Sequence, residues 1–367
     1  MKKITYKIIF STLLFFILSI AYYNYFSIYL EQDQFTNILG FTRIVIPDTF
    51  IYKSVLDDTS NIFQSILISS VKNTIGPSLI WALVLKNWTI VILFNTIILL
   101  ISINRLIKIS KVLNLKYSYE NIVLIIFFLP ITLYFTIGSL KEIPCFFGLI
   151  SFFYFYISDQ KFKIILYFFF LFIFRYQLAF PLIFFIFFDR YKMNILFLST
   201  IFLIAIMIFY PIFSFNILAS DATAIFREGS ETSGKLGTIV ENIRSNIPFL
   251  SFFAIIFRCI QTIYEPLFTF FKIFTFFEDG DLNIFSLFQF ISTLILFPFW
   301  YIFFKRLIKI LKNKYIYERN IVRLYSFCLL FIIPTAGFSF IQTRYLYPII
   351  GLLILATLNP FKQIKNI

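Results

Sequence analysis

The sequence predicts an all-α polytopic membrane protein of about 10–12 transmembrane helices. Three observations predict it. Hydrophobic residues make up 60% of the 367 residues and the mean hydropathy is +0.89, whereas a soluble domain is nearer about 45–50% apolar. The apolar residues fall into runs of span length, separated by short charged stretches. The charges sort by sign from one side of these runs to the other, as the positive-inside rule requires.

The elements follow in order. Met1-Lys2-Lys3 precedes an apolar run from Ile8 to Ala21. No small-residue cleavage site follows in Tyr22-Tyr23-Asn24-Tyr25, so the run reads as an uncleaved first span. Spans are expected at 6–29, 88–104, 121–138, 143–157, 163–175, 177–188, 193–214, 248–263, 266–277, 283–304, 321–340 and 345–358. The stretches 163–188 and 248–277 are each a hairpin of two short helices or one long or re-entrant element. Gly76 to Leu85 reads as a half-helix that dips in and returns. With no fixed-period repeat and no Pro, Gly or Ser-rich linker, residues 1–367 read as one integral membrane domain.

Charge placement orients the bundle. With the N-terminus inside, the inner loops hold Arg105, Lys108, Lys111 and Lys116, then Lys161 and Lys163, Arg190 and Lys192, and the run from Lys305 to Arg319. The outer segments hold most of the acids, including Glu31, Asp48, Glu142, Asp221, Glu241 and Asp279. Both termini are expected in the cytoplasm. Two outer segments are long, 30–86 and 215–247; the inner loops are short and carry no Gly-rich phosphate loop. Chemistry is therefore expected on the outer side, on a substrate already in the membrane.

Composition excludes several classes. The net charge of +14 reads as cytoplasmic-loop bias, not as a nucleic-acid surface, because no soluble basic domain exists to carry one. Histidine is absent, which removes imidazole bases and His-ligated metals. Cys145, Cys259 and Cys328 lie apart in apolar runs and read as small buried hydrophobes. No metal site is expected.

Charged residues within or beside spans are costly, which makes them functional candidates. Arg175 lies between two Phe-rich runs, in Phe174-Arg175-Tyr176-Gln177. It either binds a polyanionic ligand, with Gln177 beside it, or pairs with a carboxylate and pins two helices. Lys141 and Glu142 lie at an outer turn. Glu142 precedes Pro144 at a helix start, where a carboxylate also simply favours the dipole. Arg43, Asp48 and Tyr52 lie in the first outer segment, and Asp48 in Pro47-Asp48-Thr49 is equally a plain helix cap. Arg258 sits inside an apolar run and needs a partner, Glu265 being the candidate. Arg344 and Tyr347 open the last span in Thr343-Arg344-Tyr345-Leu346-Tyr347-Pro348, where an Arg-Tyr interfacial anchor is the plain alternative. Together the arginines suit a pyrophosphate, since a guanidinium makes planar bidentate contacts.

The chain resembles the Wzy-type and EpsG-like oligosaccharide repeat-unit polymerases of O-antigen and capsule clusters. The matching residues are Pro47-Asp48-Thr49 with Tyr52; Asn73 with Gly76-Pro77; Asn87 and Asn95; Ser139-Leu140-Lys141-Glu142; Arg175-Tyr176; and Arg344-Tyr345-Leu346-Tyr347-Pro348. The resemblance implies a GT-C-like bundle in the bacterial inner membrane. It implies transfer of a glycan from undecaprenyl pyrophosphate to a lipid-linked repeat unit on the outer face. It also implies work without a cofactor, with Arg175 and Arg344 at the pyrophosphate, and a flippase and a chain-length regulator as partners. Some relatives use a histidine near the reacting sugar. This chain has none, so Asp48 or Glu142 would accept the proton. Two other readings stay open. One is a GT-C transferase using a polyprenyl-monophosphate sugar, with Asp48 as base beside a divalent ion. The other is a flippase or exporter of lipid-linked oligosaccharide.

Overall fold

The computed structural model describes residues 2–30, 41–42, 75–84, 87–115, 119–138, 141–191, 201, 204, 282–312, 318–338 and 346–358. Among them the elements are α1 (Lys2–Leu30), β1 (Phe41–Thr42), α2 (Ile75–Leu83), α3 (Trp88–Val112), α4 (Tyr119–Phe128), α5 (Pro130–Ile137), α6 (Glu142–Ile157), α7 (Lys161–Arg190), β2 (Leu282–Asn283), α8 (Ile284–Lys312), α9 (Arg319–Phe338) and α10 (Tyr347–Leu358). Three of these helices, α1, α3 and α8, are long and apolar enough to cross a membrane; α5 and α6, bent by 110°, add a fourth span if they count as one. The chain is a helical multi-pass membrane protein. The expected spans at 248–263 and 266–277, and nearly all of 193–214, lie outside the described residues.

The solvent of these helices is written on their faces. On α3, Val91, Ile92, Leu99, Ile103 and Leu106 are buried, while Ile90, Leu93, Ile97 and Ile101 on the other side are exposed. A water-facing helix would carry polar groups there. Polar residues inside the helices bond their own backbone: Thr96 Oγ1 donates to Ile92 O at 2.8 Å and Ser102 Oγ to Ile98 O at 2.7 Å.

The helix ends are closed with care. Asn87 caps α3, its side-chain oxygen accepting from Thr89 N at 2.9 Å and Ile90 N at 3.3 Å. At the other end of α3, Asn114 takes φ 50°, Asn114 N–H donates to Lys111 O and Leu115 N–H to Ser110 O. Helix α6 ends the same way through Asp159, φ 53°, with donors Asp159 N–H to Tyr156 O and Gln160 N–H to Phe155 O. Asn and Asp replace the usual glycine in this left-handed closure.

The expected span 121–138 is broken into α4 and α5. Pro130 supplies no N–H and forces Leu129 into extended backbone, φ −68° and ψ 119°. The N–H of the next residue, Ile131, lies at the start of α5, and in its buried position it donates to Ser292 Oγ of α8 at 3.0 Å. The stretch 163–188 lies within α7, which is two helical segments meeting at a kink at Arg175, where φ is −162° and ψ 87°. The residues expected to form a half-helix near Gly76 form α2, a nine-residue helix.

Two compact units divide the chain. The first holds α1 to α6, α7 up to Ala179, α8 up to Phe304, and α10; the second holds the rest of α7 and α8 with α9. In the first unit α3 and α10 pack on α6, and α1 packs on α3 and α4. Gly351 makes the α10 approach possible: a Cβ there would lie 2.9 Å from both Leu106 Cδ1 and Phe146 Cζ. Strands β1 and β2 form a two-residue parallel pairing, Phe41 opposite Leu282 and Thr42 opposite Asn283.

The second unit is pinned by an ion pair. Arg323 grips Asp189 with two nitrogens, Nε to Oδ1 at 2.9 Å and Nη2 to Oδ2 at 2.7 Å. Its Nη1 donates to Asn320 Oδ1 at 2.9 Å. The two side chains are 20% and 14% exposed. Beside them Phe185 and Phe327 meet edge to face, centroids 4.9 Å apart. Asp189→Ala strands the guanidinium and is expected to destabilise the unit by about 3 kcal/mol. Thermal melting in neutral detergent measures it. A double Asp189→Leu, Arg323→Met variant should recover most of the loss, and equal damage in both variants would contradict the account.

Candidate functional site

The first unit buries a group of polar and charged side chains at the start of α6. Glu142 opens that helix and is 2% exposed. Its carboxylate is favoured there by the helix dipole. Lys141 holds the N-cap position with helical backbone and makes no side-chain cap bond. Cys145 N–H donates back to Lys141 O at 2.8 Å, closing the first turn.

Arg175 reaches the same turn from α7 and is 6% exposed. Arg175, Glu142 and Lys141 each lie near enough to the Cys145 thiol, in the first turn of α6, to act on it electrostatically. The break at Arg175 has a packing correlate. Phe174 lies against the first turn of α2, where a Cβ on Gly76 would fall 2.5 Å from Phe174 Cδ1.

Tyr347 enters from α10. It is 1% exposed, donates to Thr132 Oγ1 at 3.1 Å and lies in the field of Glu142. The rings of Phe135 and Phe146 flank it, centroids 4.8 and 5.3 Å away. Asn95 of α3 braces the chain leading into Lys141 and Glu142. Its Nδ2 donates to Thr136 O at 2.9 Å and to Gly138 O at 3.0 Å. Its Oδ1 is buried and meets no donor among the described residues. Four helices thus deliver a buried carboxylate, guanidinium, phenol and amide, with the half-buried Lys141 ammonium beside them. Charges act there more strongly than in water.

Of the expected site residues, Lys141, Glu142, Arg175 and Tyr347 come together. Gln177 lies on α7 two residues past the break. Arg43, Asp48, Tyr52, Arg258 and Arg344 lie outside the described residues. Asn95 and Thr132 belong to the site although neither carries a charge. The available signal was a pair of polar residues, Asn95-Thr96, inside an otherwise apolar run. Cys145 and Cys328 are both buried free thiols. Among the described residues no group of three or more His, Cys, Asp or Glu could hold a metal ion.

No family model matches the chain, and neither a curated protein nor a solved structure matches it.

Proposed function

We propose that the protein is a polysaccharide polymerase of the Wzy or EpsG-like kind, a GT-C-type glycosyltransferase of the bacterial inner membrane. Both termini are cytoplasmic, and segments 30–86 and 215–247 lie on the outer face. The substrate is a glycan on undecaprenyl pyrophosphate, and the acceptor is a lipid-linked repeat unit. One observation carries this reading: Glu142 and Arg175 are both buried and both act electrostatically on Cys145 in the first turn of α6, in a bundle whose exposed faces are apolar. A substrate with a diphosphate head and a long hydrocarbon tail fits such surroundings.

The chemistry follows. An acceptor hydroxyl attacks the anomeric carbon and forms the new C–O bond. The bond from that carbon to the pyrophosphate oxygen breaks, and the leaving diphosphate takes the electron pair. Arg175, with Arg344 as its proposed companion, stabilises the growing negative charge. Glu142 takes the hydroxyl proton; Asp48 is the other candidate for that role. Asn95 holds the backbone before Lys141 and Glu142 in place. A flippase and a chain-length regulator are the proposed partners.

Reconstitution tests it. The purified protein in lipid vesicles is given a fluorescent oligosaccharide on polyprenyl pyrophosphate, and the expected product is a ladder of lengthened glycans. A single sugar added from a polyprenyl-monophosphate donor would replace this reading with the monophosphate transferase. Lipid-linked oligosaccharide crossing the bilayer without any new bond would replace it with a flippase.

A further inference from the structure

Arg105 is the most unusual cation away from the site just described. It lies on α3, and α6 and α7 enclose it. Its guanidinium carbon lies 4.6 Å from the Phe147 ring centre, 4.8 Å from Tyr167 and 5.1 Å from Phe155. Nη1 donates to Ser151 Oγ, and Nη2 donates to Tyr167 Oη at 2.6 Å. The second cation, Lys163, has its Nζ 4.8 Å from the centre of that same Phe155 ring.

Among the described residues neither cation meets a counter-charge. Arg323 of the same chain, comparably shielded, has a bidentate aspartate. Aromatic faces hold a cation but do not neutralise it. The two hydroxyl contacts use two of the five N–H donors a guanidinium carries. A partly desolvated, preorganised guanidinium with spare donors and an ammonium beside it matches a phosphate oxygen pair.

The surroundings say what the phosphate belongs to. On α7, Phe162, Ile165, Leu166, Phe169 and Phe172 are all exposed. Their spacing of three and four residues puts them on one helical face, and Lys163 and Tyr167 lie beside that stripe in sequence. A free phosphate has no use for it; an acyl chain does. Along α6, Ser151 and Phe155 stand about 13–20 Å from Glu142 by helical rise, so this cation pair is separate from the proposed catalytic group.

We infer that Arg105 and Lys163, framed by Phe147, Phe155, Ser151 and Tyr167, form a binding site for the phosphodiester headgroup of an anionic phospholipid, whose tails lie along the exposed face of α7. The site is independent of the proposed reaction.

The full-length protein in neutral detergent tests it, by native mass spectrometry and by melting, with phosphatidylglycerol, phosphatidylcholine or inorganic phosphate added. Phosphatidylglycerol should be retained and should raise the melting midpoint; the other two should do neither. Arg105→Gln should weaken phosphatidylglycerol binding about tenfold, the loss of one charge-assisted contact, and Arg105→Lys should weaken it less. Lys163→Gln alters an exposed side chain, keeps the fold and should weaken binding about threefold, a fraction of one such contact. Equal retention of the two lipids, or unchanged affinity in both the Arg105→Gln and Lys163→Gln variants, overturns the site. Equal stabilisation by inorganic phosphate overturns the lipid as its occupant.

Discussion

Replacing Arg175 by alanine is expected to stop polymer elongation while the protein stays in the membrane at normal abundance. Arg175 is 6% exposed and interrupts α7 with extended backbone. Its guanidinium therefore projects from a break in the helix, not from a regular helical face. Removing it takes away the proposed receiver of the diphosphate charge. Loss of one such electrostatic donor in a water-poor site lowers a rate by about 100-fold to 1000-fold. Arg175→Lys keeps the charge and loses the planar fork, so elongation should fall but persist. Chain-length distribution on gels reads the activity, and immunoblotting of membrane fractions reads the amount. Wild-type chain lengths in the alanine strain would remove Arg175 from the mechanism.

Glu142→Gln comes next in size. The amide has nearly the carboxylate's shape, so the start of α6 and its packing near Tyr347 should survive. What disappears is the negative charge and the ability to take a proton. A general base contributes about 100-fold to 10,000-fold, and the elongation rate in vesicles should drop within that range. Asp48→Asn is measured beside it. The variant with the larger fall in rate, at unchanged lipid-linked substrate binding, identifies the base. If Glu142→Gln elongates at the wild-type rate, Glu142 is a helix-start carboxylate and nothing more.

Long apolar runs were legible because lipid imposes a length on them. The runs at 6–29, 88–104 and 283–304 correspond to α1, α3 and α8. Their ends were less so. Helix α3 continues through Arg105 to Val112, because backbone hydrogen bonds do not stop where hydropathy does. The interruption at Leu129-Pro130 lies within an apolar run, and the Ile131 N–H beside it is met by Ser292, far along the chain. No local pattern reports such a partner. Glu142 and Arg175 were legible as charges in apolar surroundings. Asn95 was harder to assign a task, since its partners are backbone carbonyls of Thr136 and Gly138. Tyr347 resembled an interfacial anchor until its hydroxyl met Thr132.

The short parallel pairing of Phe41 with Leu282 has a consequence in time. About 240 residues must be synthesised between the two strands, which at roughly 5–20 residues per second takes on the order of tens of seconds. The early strand waits that long for its mate. A ribosome that stalls before Leu282 leaves Phe41 and Thr42 without their native neighbour.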